Sequence, residues 1–530
     1  MKPLEFRPSL SRRTFFGWFA AGLALVASCA APHVRPQGEV RLVVLHTNDM
    51  HGQVLPRRGT WIDKNDPPLV GGLPRVAGYV AQVRREEAAR GADVLVLDGG
   101  DWYQGTPEGV IELGLPMVRA IAAIDYDAAS LGNHEFDHGV ANVKRLLSEA
   151  RPAAVCANLR EPESGERVAW VEPYRIVERA GLRIALVGLL TPETPSITHP
   201  DARALVFADP VEELVRVKRE LAGRYDLMIP VGHIGVEDGA RIVRAHPEIP
   251  LVVTGHSHTF LKEGQREGRG LIVQAGAKAS VVGRVELSID GPSAGVLASS
   301  ARLVDLLADP TPQDRNARVE ELCADLAQRA DLDMRRTIGE LAGPLKAGRG
   351  PLSTVAGNWV ADMLRERVGG DVGIHNRGGT RAEIDAGPVT VREVFEMLPF
   401  DNDVVLLELP GADLAEVVRG AIEGTTHSGL DYSGMRVFVK SRSEGGKTLL
   451  TLERIEIGGK PLDPAASYRV ATNSFLAGGG DGFAEFARAK RSTQDPILMR
   501  ELAAEVLERA GTLTPPSEAR IVDLTAESQP

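Results

Sequence analysis

From Arg41 onward, short apolar runs alternate with stretches whose apolar residues recur at helical spacing. The runs at 42–45, 94–97, 184–190, 227–231 and 251–254 carry almost no polar residue, as strands do when both faces are covered. They predict an α/β sandwich. Between Leu306 and Arg335 the pattern changes to a charged, helix-favouring segment opened by Asp309-Pro310-Thr311-Pro312. This marks a linker helix or hinge over 306–336, between a first domain at 41–305 and a second at 337–525. The second has its own runs at 404–407, 436–439 and 449–457. A chain of 530 residues fits this division, since domains usually hold about 100–200 residues.

The chemistry lies where the first-domain runs end. Residues 42–45 lead into His46-Thr47-Asn48-Asp49-Met50-His51, and 94–97 into Asp98-Gly99-Gly100-Asp101. Leu131-Gly132-Asn133-His134-Glu135 follows, then Gly232-His233 and Gly255-His256-Ser257-His258. In open α/β sheets ligands collect at the carboxyl ends of strands, so clusters distant in sequence can share one rim. Mixed oxygen and imidazole donors suit Mn, Fe, Co or Zn better than Ca or Mg. Two such ions about 3.5–4 Å apart lower the pKa of bound water and hold phosphoryl oxygens, given a bridging carboxylate such as Asp101.

Asp49-Met50-His51, Gly99-Gly100-Asp101, Gly132-Asn133-His134-Glu135, Gly232-His233 and Gly255-His256-Ser257-His258 resemble, in this order, the calcineurin-like metallophosphoesterase signature. The resemblance implies a four-layer αββα sandwich and two divalent transition-metal ions. Asp49, His51, Asp101 and His258 would hold one ion; Asp101, Asn133, His233 and His256 would hold the other. His134 and Asp137 would form the catalytic dyad, the histidine serving the phosphoryl or leaving oxygen and the aspartate orienting it. His258 stands where nucleotidase members often carry glutamine, without loss of a ligand. His46 and His138 match no ligand position and are expected to be structural. His33, His199, His246 and His427 carry no motif, and His375 is a candidate in the second domain.

Downstream, Asn376-Arg377-Gly378-Gly379-Thr380-Arg381, Leu398-Pro399-Phe400 and Phe475-Leu476-Ala477-Gly478-Gly479-Gly480-Asp481-Gly482 resemble the C-terminal domain of 5′-nucleotidases and UDP-sugar hydrolases. The resemblance implies that Phe400 and Phe475 sandwich a base, Asn376 hydrogen-bonds it, Asp481 binds ribose and Arg381 contacts the anion. It also implies that rotation of this α/β domain carries substrate to the metals. Leu352 is a departure, standing where the family often carries a further phosphate-contacting arginine. The implied function is hydrolysis of nucleoside monophosphates to nucleoside and phosphate by a hydroxide activated between two metals. The alternatives are UDP-sugars, 2′,3′-cyclic nucleotides or a sulfur ester.

A net charge of −11 disfavours nucleic-acid polymers as partners and leaves small nucleotides open. Ser11-Arg12-Arg13-Thr14-Phe15-Phe16 and the apolar stretch after it read as a twin-arginine export signal within residues 1–29. Val26-Ala27-Ser28-Cys29 resembles a lipobox, which implies a lipid anchor on Cys29 and a tether over 30–40. Three cysteines make no disulfide framework, and Cys156 and Cys323 are expected to be buried thiols.

Overall fold

The computed structural model describes residues 33–59, 62–63, 66–348, 352–424, 426, 428–444 and 447–527. The export signal, Cys29 and its lipobox, the first residues of the tether and His427 lie outside them. Among the described residues no helix is long and apolar enough to cross a membrane.

Each apolar run of the first domain becomes a strand, and alternate residues of each strand feed two different cores. Leu42 and Val44 of Glu39–Thr47, with Leu95 and Leu97 of Asp93–Asp98, face a second sheet; Val43, Leu45, Val94 and Val96 face helices. In that second sheet Leu186, Ile229, Val231 and Val253 face the first, while Val187, Met228 and Val252 lie under helices. This two-sided burial explains the lack of polar alternation. The first six-stranded sheet runs Gly295–Asp305, Val281–Asp290, Glu39–Thr47, Asp93–Asp98, Ala128–Ser130 and Ala154–Val155. The second runs Gln265–Glu267, Gly270–Val273, Leu251–Thr254, Leu227–His233, Leu182–Leu190 and Tyr174–Arg179. Helices Leu73–Ala88, Leu115–Ala122 and Gly139–Ala150 cover one outer face, and Pro210–Glu220 and Gly235–Ala245 the other, which completes an αββα sandwich.

Within the segment expected as a linker, helix Ala317–Met334 buries Val319, Cys323 and Leu326 in the first domain's helical core. Asn316 holds it there by donating to the Ala123 carbonyl at 2.9 Å. The second domain centres on a five-stranded sheet, in order Leu430–Ser433, Val372–Asn376, Ser467–Asn473, Asp403–Pro410 and Lys490–Leu498. One face packs on helix Gly411–Glu423 and the other on Val355–Val368 and Met499–Ala510. The later apolar runs lie within strands Asp403–Pro410, Met435–Glu444 and Lys447–Ile457. Cys156 and Cys323 are buried free thiols, each pushed up to about 12 by burial.

Candidate functional site

Strands Glu39–Thr47, Asp93–Asp98 and Ala128–Ser130 are mutually parallel in one sheet, as are Leu227–His233 and Leu251–Thr254 in the other. The loops after them carry the clustered polar residues. Their backbone is unusual: Asp49, His51, Asp101, His256 and His258 have φ of 50°, 47°, 61°, 79° and 53°. A non-glycine residue in the left-handed region costs about 1–3 kcal/mol and persists only where its surroundings hold it. Here Asp49 N donates to Gly100 O at 2.8 Å and His51 N to Asp101 O at 3.0 Å, which ties the first loop to the second. Gly132 is required by close approach, since a Cβ there would lie 2.2 Å from Asp101 Oδ1.

These loops bring the expected ligands of both sheets together. One atom each of Asp49, His51, Asp101 and His258 lies within 4.8 Å of the others. His51 Nε2 is 2.9 Å from His258 Nε2 and 3.8 Å from both Asp49 Oδ1 and Asp101 Oδ2; His258 Nε2 is 3.1 Å from Asp49 Oδ1. On the other side of Asp101, His233 Nε2 is 3.1 Å from Asp101 Oδ2 and 3.1 Å from Asn133 Oδ1. The His256 ring packs edge-on to His233 with centroids 5.1 Å apart, and its backbone N donates to Asp49 Oδ2 at 3.0 Å.

The donor chemistry fits metal ions. His233 Nδ1 lies 2.8 Å from the Gly99 carbonyl and His51 Nδ1 2.9 Å from that of Gln104, so each Nδ1 carries the proton and each Nε2 offers a lone pair. The His233 lone pair then meets two oxygen acceptors, an arrangement that needs a cation. A second proton is one solution: against burial, the Asp101 carboxylate raises His233 to about 10. A divalent ion is the other, because donors about 2.0–2.2 Å from one ion lie about 3–3.6 Å apart.

Buried carboxylates that carry no role in the sequence motifs brace this frame. Glu135 accepts from the backbone N of Gly132 at 2.7 Å, Asp101 at 3.0 Å and Trp102 at 2.8 Å. Burial pushes its carboxyl up to about 8. Asp98 accepts from Gly100 N at 2.9 Å, Trp102 Nε1 at 2.8 Å and Thr47 Oγ1 at 2.6 Å. Asn48 donates to Asp49 Oδ2 at 2.6 Å. Glu135 and Asn48 sit inside the quoted motifs, and that adjacency was the only signal for them.

His134 and Asp137 do touch, at 2.6 Å between Nδ1 and Oδ2, because 133–136 forms a 3₁₀ turn that places i and i+3 on one side. Thr198 donates to the other Asp137 oxygen at 2.8 Å. Against burial, Asp137 and Asp101 raise the imidazole above its ordinary value. His46 is buried and held at about 3 by burial. His138, expected to be structural, bonds Tyr103 Oη at 2.9 Å and lines the cavity described next, as does His199.

A cavity of about 620 Å³ lies between the domains. Asp101, Asn133, His134, His256 and His258 form one wall; Asn376, Arg381, Phe400, Phe475 and Asp481 form the other. Asn473 donates to Asn376 Oδ1 at 3.0 Å and Asn376 to Asp481 Oδ2 at 2.9 Å, a chain that fixes both residues. The Arg381 guanidinium is 3.3 Å from His51 Nε2 and stands 5.8 Å over the Phe400 ring. Gln104 donates to the Pro399 carbonyl at 3.0 Å across the gap. His375 lies apart from the cavity, buried and bonded to Thr380 Oγ1 at 3.0 Å.

Comparison with known proteins agrees with this architecture. Residues 42–260 match the family model of calcineurin-like phosphoesterases, and 338–488 match that of the 5′-nucleotidase C-terminal domain. The snake venom 5′-nucleotidase of Crotalus adamanteus is 28% identical over 95% of this chain and 91% of its own length. The crystal structure of a 5′-nucleotidase precursor from Thermus thermophilus superposes with a TM-score of 0.80 at 28% identity, covering 92% of this chain and all of that one. The sulfate thiohydrolase SoxB of Thermus thermophilus shares the fold with a TM-score of 0.77 at 19% identity, over 93% of this chain and 98% of its own.

Proposed function

This chain belongs to the 5′-nucleotidase family of calcineurin-like phosphoesterases and is a metal-dependent phosphoester hydrolase; on that premise we propose that it hydrolyses nucleoside monophosphates to nucleoside and phosphate. The carrying observation is that one cavity is lined by both sets of side chains.

In this reading Asp49, His51, Asp101 and His258 hold one divalent ion and Asp101, Asn133, His233 and His256 a second, drawn from Mn, Zn, Co or Fe. Such ions supply Lewis acidity towards phosphoryl oxygens and lower the pKa of water towards neutrality. Asp137 accepts a hydrogen bond from Nδ1–H of His134, so the proton on Nε2 is the one delivered to a substrate oxygen, and the neighbouring carboxylates favour the protonated ring. Arg381 brings a fixed positive charge to the phosphate. Phe400 and Phe475 stack on the base, Asn376 orients it and Asp481 takes the ribose hydroxyls. The helix 317–334 is anchored in the first domain, so the pivot for rotation of the second falls at its end, near residues 335–337.

Leu352, 43% exposed where the family often has arginine, favours UDP-sugars or 2′,3′-cyclic nucleotides as the second reading. The paired phenylalanines weigh against a sulfur ester, which has no base to stack. Phosphate release by Mn- or Co-loaded protein from AMP, UMP, UDP-glucose, 2′,3′-cyclic AMP and bis-(p-nitrophenyl) phosphate, with Asp101→Asn as control, tests this. Monophosphates turned over fastest support the leading reading; turnover of the diesters alone rejects it while keeping the metal site. The amino-terminal segment supports export and acylation at Cys29, and Cys29→Ala should release the protein from the membrane fraction.

A further inference from the structure

Residues 191–205 follow strand Leu182–Leu190 and run along the cavity as a strap of two 3₁₀ turns, Thr194–Ser196 and Pro200–Ala204. The strap is fixed at several points. At its root Thr191 N donates to the His233 carbonyl at 2.9 Å, and in its second turn Ala202 is buried in the helical core of the first domain. Arg203 Nε closes the strap on itself by donating to the Pro195 carbonyl at 3.3 Å. Thr198 lies between the two turns, 5% exposed, and its hydroxyl donates to Asp137 Oδ1 at 2.8 Å. The other carboxylate oxygen, Asp137 Oδ2, is 2.6 Å from His134 Nδ1. Thr198 stands 61 residues from Asp137 in sequence and belongs to none of the metal or dyad motifs.

A carboxylate bonded through one oxygen can still turn about its Cβ–Cγ bond, where the torsional wells are broad. Bonds to both oxygens remove that freedom and fix the acceptor that orients the His134 ring. We propose that Thr198 is a positioning residue for the dyad: by holding Asp137, it sets the orientation in which His134 presents its Nε2 proton to the substrate oxygen. This rests on the role given to His134 above, and not on which nucleotide the second domain selects. The hydroxyl carries the effect rather than the bulk of the side chain. Serine can supply the same donor, and valine has nearly the same shape without one.

The test is steady-state kinetics of the Mn-loaded protein on AMP and on 2′,3′-cyclic AMP, each of which expels a ribose oxygen. Thr198→Val should lower kcat about tenfold or more, the worth of one charge-assisted hydrogen bond, with KM within about twofold. Thr198→Ser should recover most of the loss. In an Asp137→Ala background Thr198→Val should cost less than about twofold, because its target is gone. A wild-type kcat in Thr198→Val overturns the proposal, as does a rise in KM alone. A tenfold loss that persists in the Asp137→Ala background also overturns it, assigning Thr198 to the folding of the strap. Turnover of the cyclic nucleotide alone would reject the monophosphate reading, and the same comparison on that substrate would still judge Thr198. AMP turnover with a wild-type kcat in Thr198→Val would do the reverse. In protein that cleaves neither substrate, the readout is the low-field proton resonance of Zn-loaded protein that Asp137→Ala removes. It should shift in Thr198→Val and return in Thr198→Ser; an unmoved resonance overturns the proposal.

Discussion

The His134 imidazole lies face to face with the Phe400 ring of the other domain, their centroids 5.5 Å apart and their planes 20° from parallel. One half of the dyad is therefore packed by the residue expected to stack on the base, so docking of the second domain and readiness of the first are one geometric event. Phe400→Ala should raise KM for nucleoside monophosphates about five- to hundredfold, the range of lost base stacking. Phe400→Tyr should restore most of it. Steady-state kinetics on AMP decides; an unchanged KM would remove Phe400 from the base site.

The convergence of seven donors at one rim predicts a requirement for metal. Chelation should abolish turnover and lower the thermal midpoint, and Mn or Co should restore both. Binding at about 100 times Kd is worth about 2.7 kcal/mol. Asp101→Asn, which removes the carboxylate proposed to be shared between the ions, should lose the metal-dependent shift in midpoint. A shift of wild-type size in that variant would rule out the bridging role.

Glu135 organises three backbone N–H groups without facing substrate. Glu135→Ala strips acceptors from buried donors, each worth about 1–3 kcal/mol. It should lower metal affinity about 10–100-fold, as loss of supporting contacts around metal ligands does. Metal titration monitored by the thermal midpoint reads this; affinity within twofold of wild type would show that the loops hold without it.

Arg392 forms a two-pronged pair with Glu108 across the domains, at 2.7 and 2.9 Å, and Glu108 is 1% exposed. Glu108→Gln should cost about 1.5–3 kcal/mol of the docked arrangement. Small-angle scattering should then give a larger radius of gyration, with a higher KM. Identical scattering from the two proteins would mean that the pair contributes nothing to docking.

His375 is held by burial at about 3, far below its ordinary 6.5. Between those values the unfolded chain binds a proton that the folded chain refuses, so this group makes stability fall as pH falls through the window. His375→Gln should flatten the dependence by about 1.4 kcal/mol per pH unit, read as the difference between denaturation curves of the two proteins at pH 6.5 and 4.5. Parallel curves would show that His375 protonates in place.

Much of this molecule is set by local chemistry, and that part was legible along the chain. Apolar runs such as 42–45 and 251–254 are continuous because both faces are buried, and ligand clusters follow them because loops at strand ends can carry polar groups. The i, i+3 spacing of His134 and Asp137 needs only one turn to become a contact. Other features depend on which loops meet, and only the tertiary structure decided them. Asp49 lies 3.1 Å from His258 because two sheets stack with their carboxyl ends on one rim. The left-handed backbone at Asp49, His51 and Asp101 is held by bonds between two loops distant in sequence, Asp49 N to Gly100 O and His51 N to Asp101 O, which no local propensity encodes. Glu135 owes its role to partners brought by folding, and His138 lines the cavity because of where the second domain docks. The charged segment after Leu306 has the pattern of a linker, yet Val319, Cys323 and Leu326 find a helical core to enter. Periodicity shows which face of a helix is apolar; the surface that buries it is supplied by the rest of the fold.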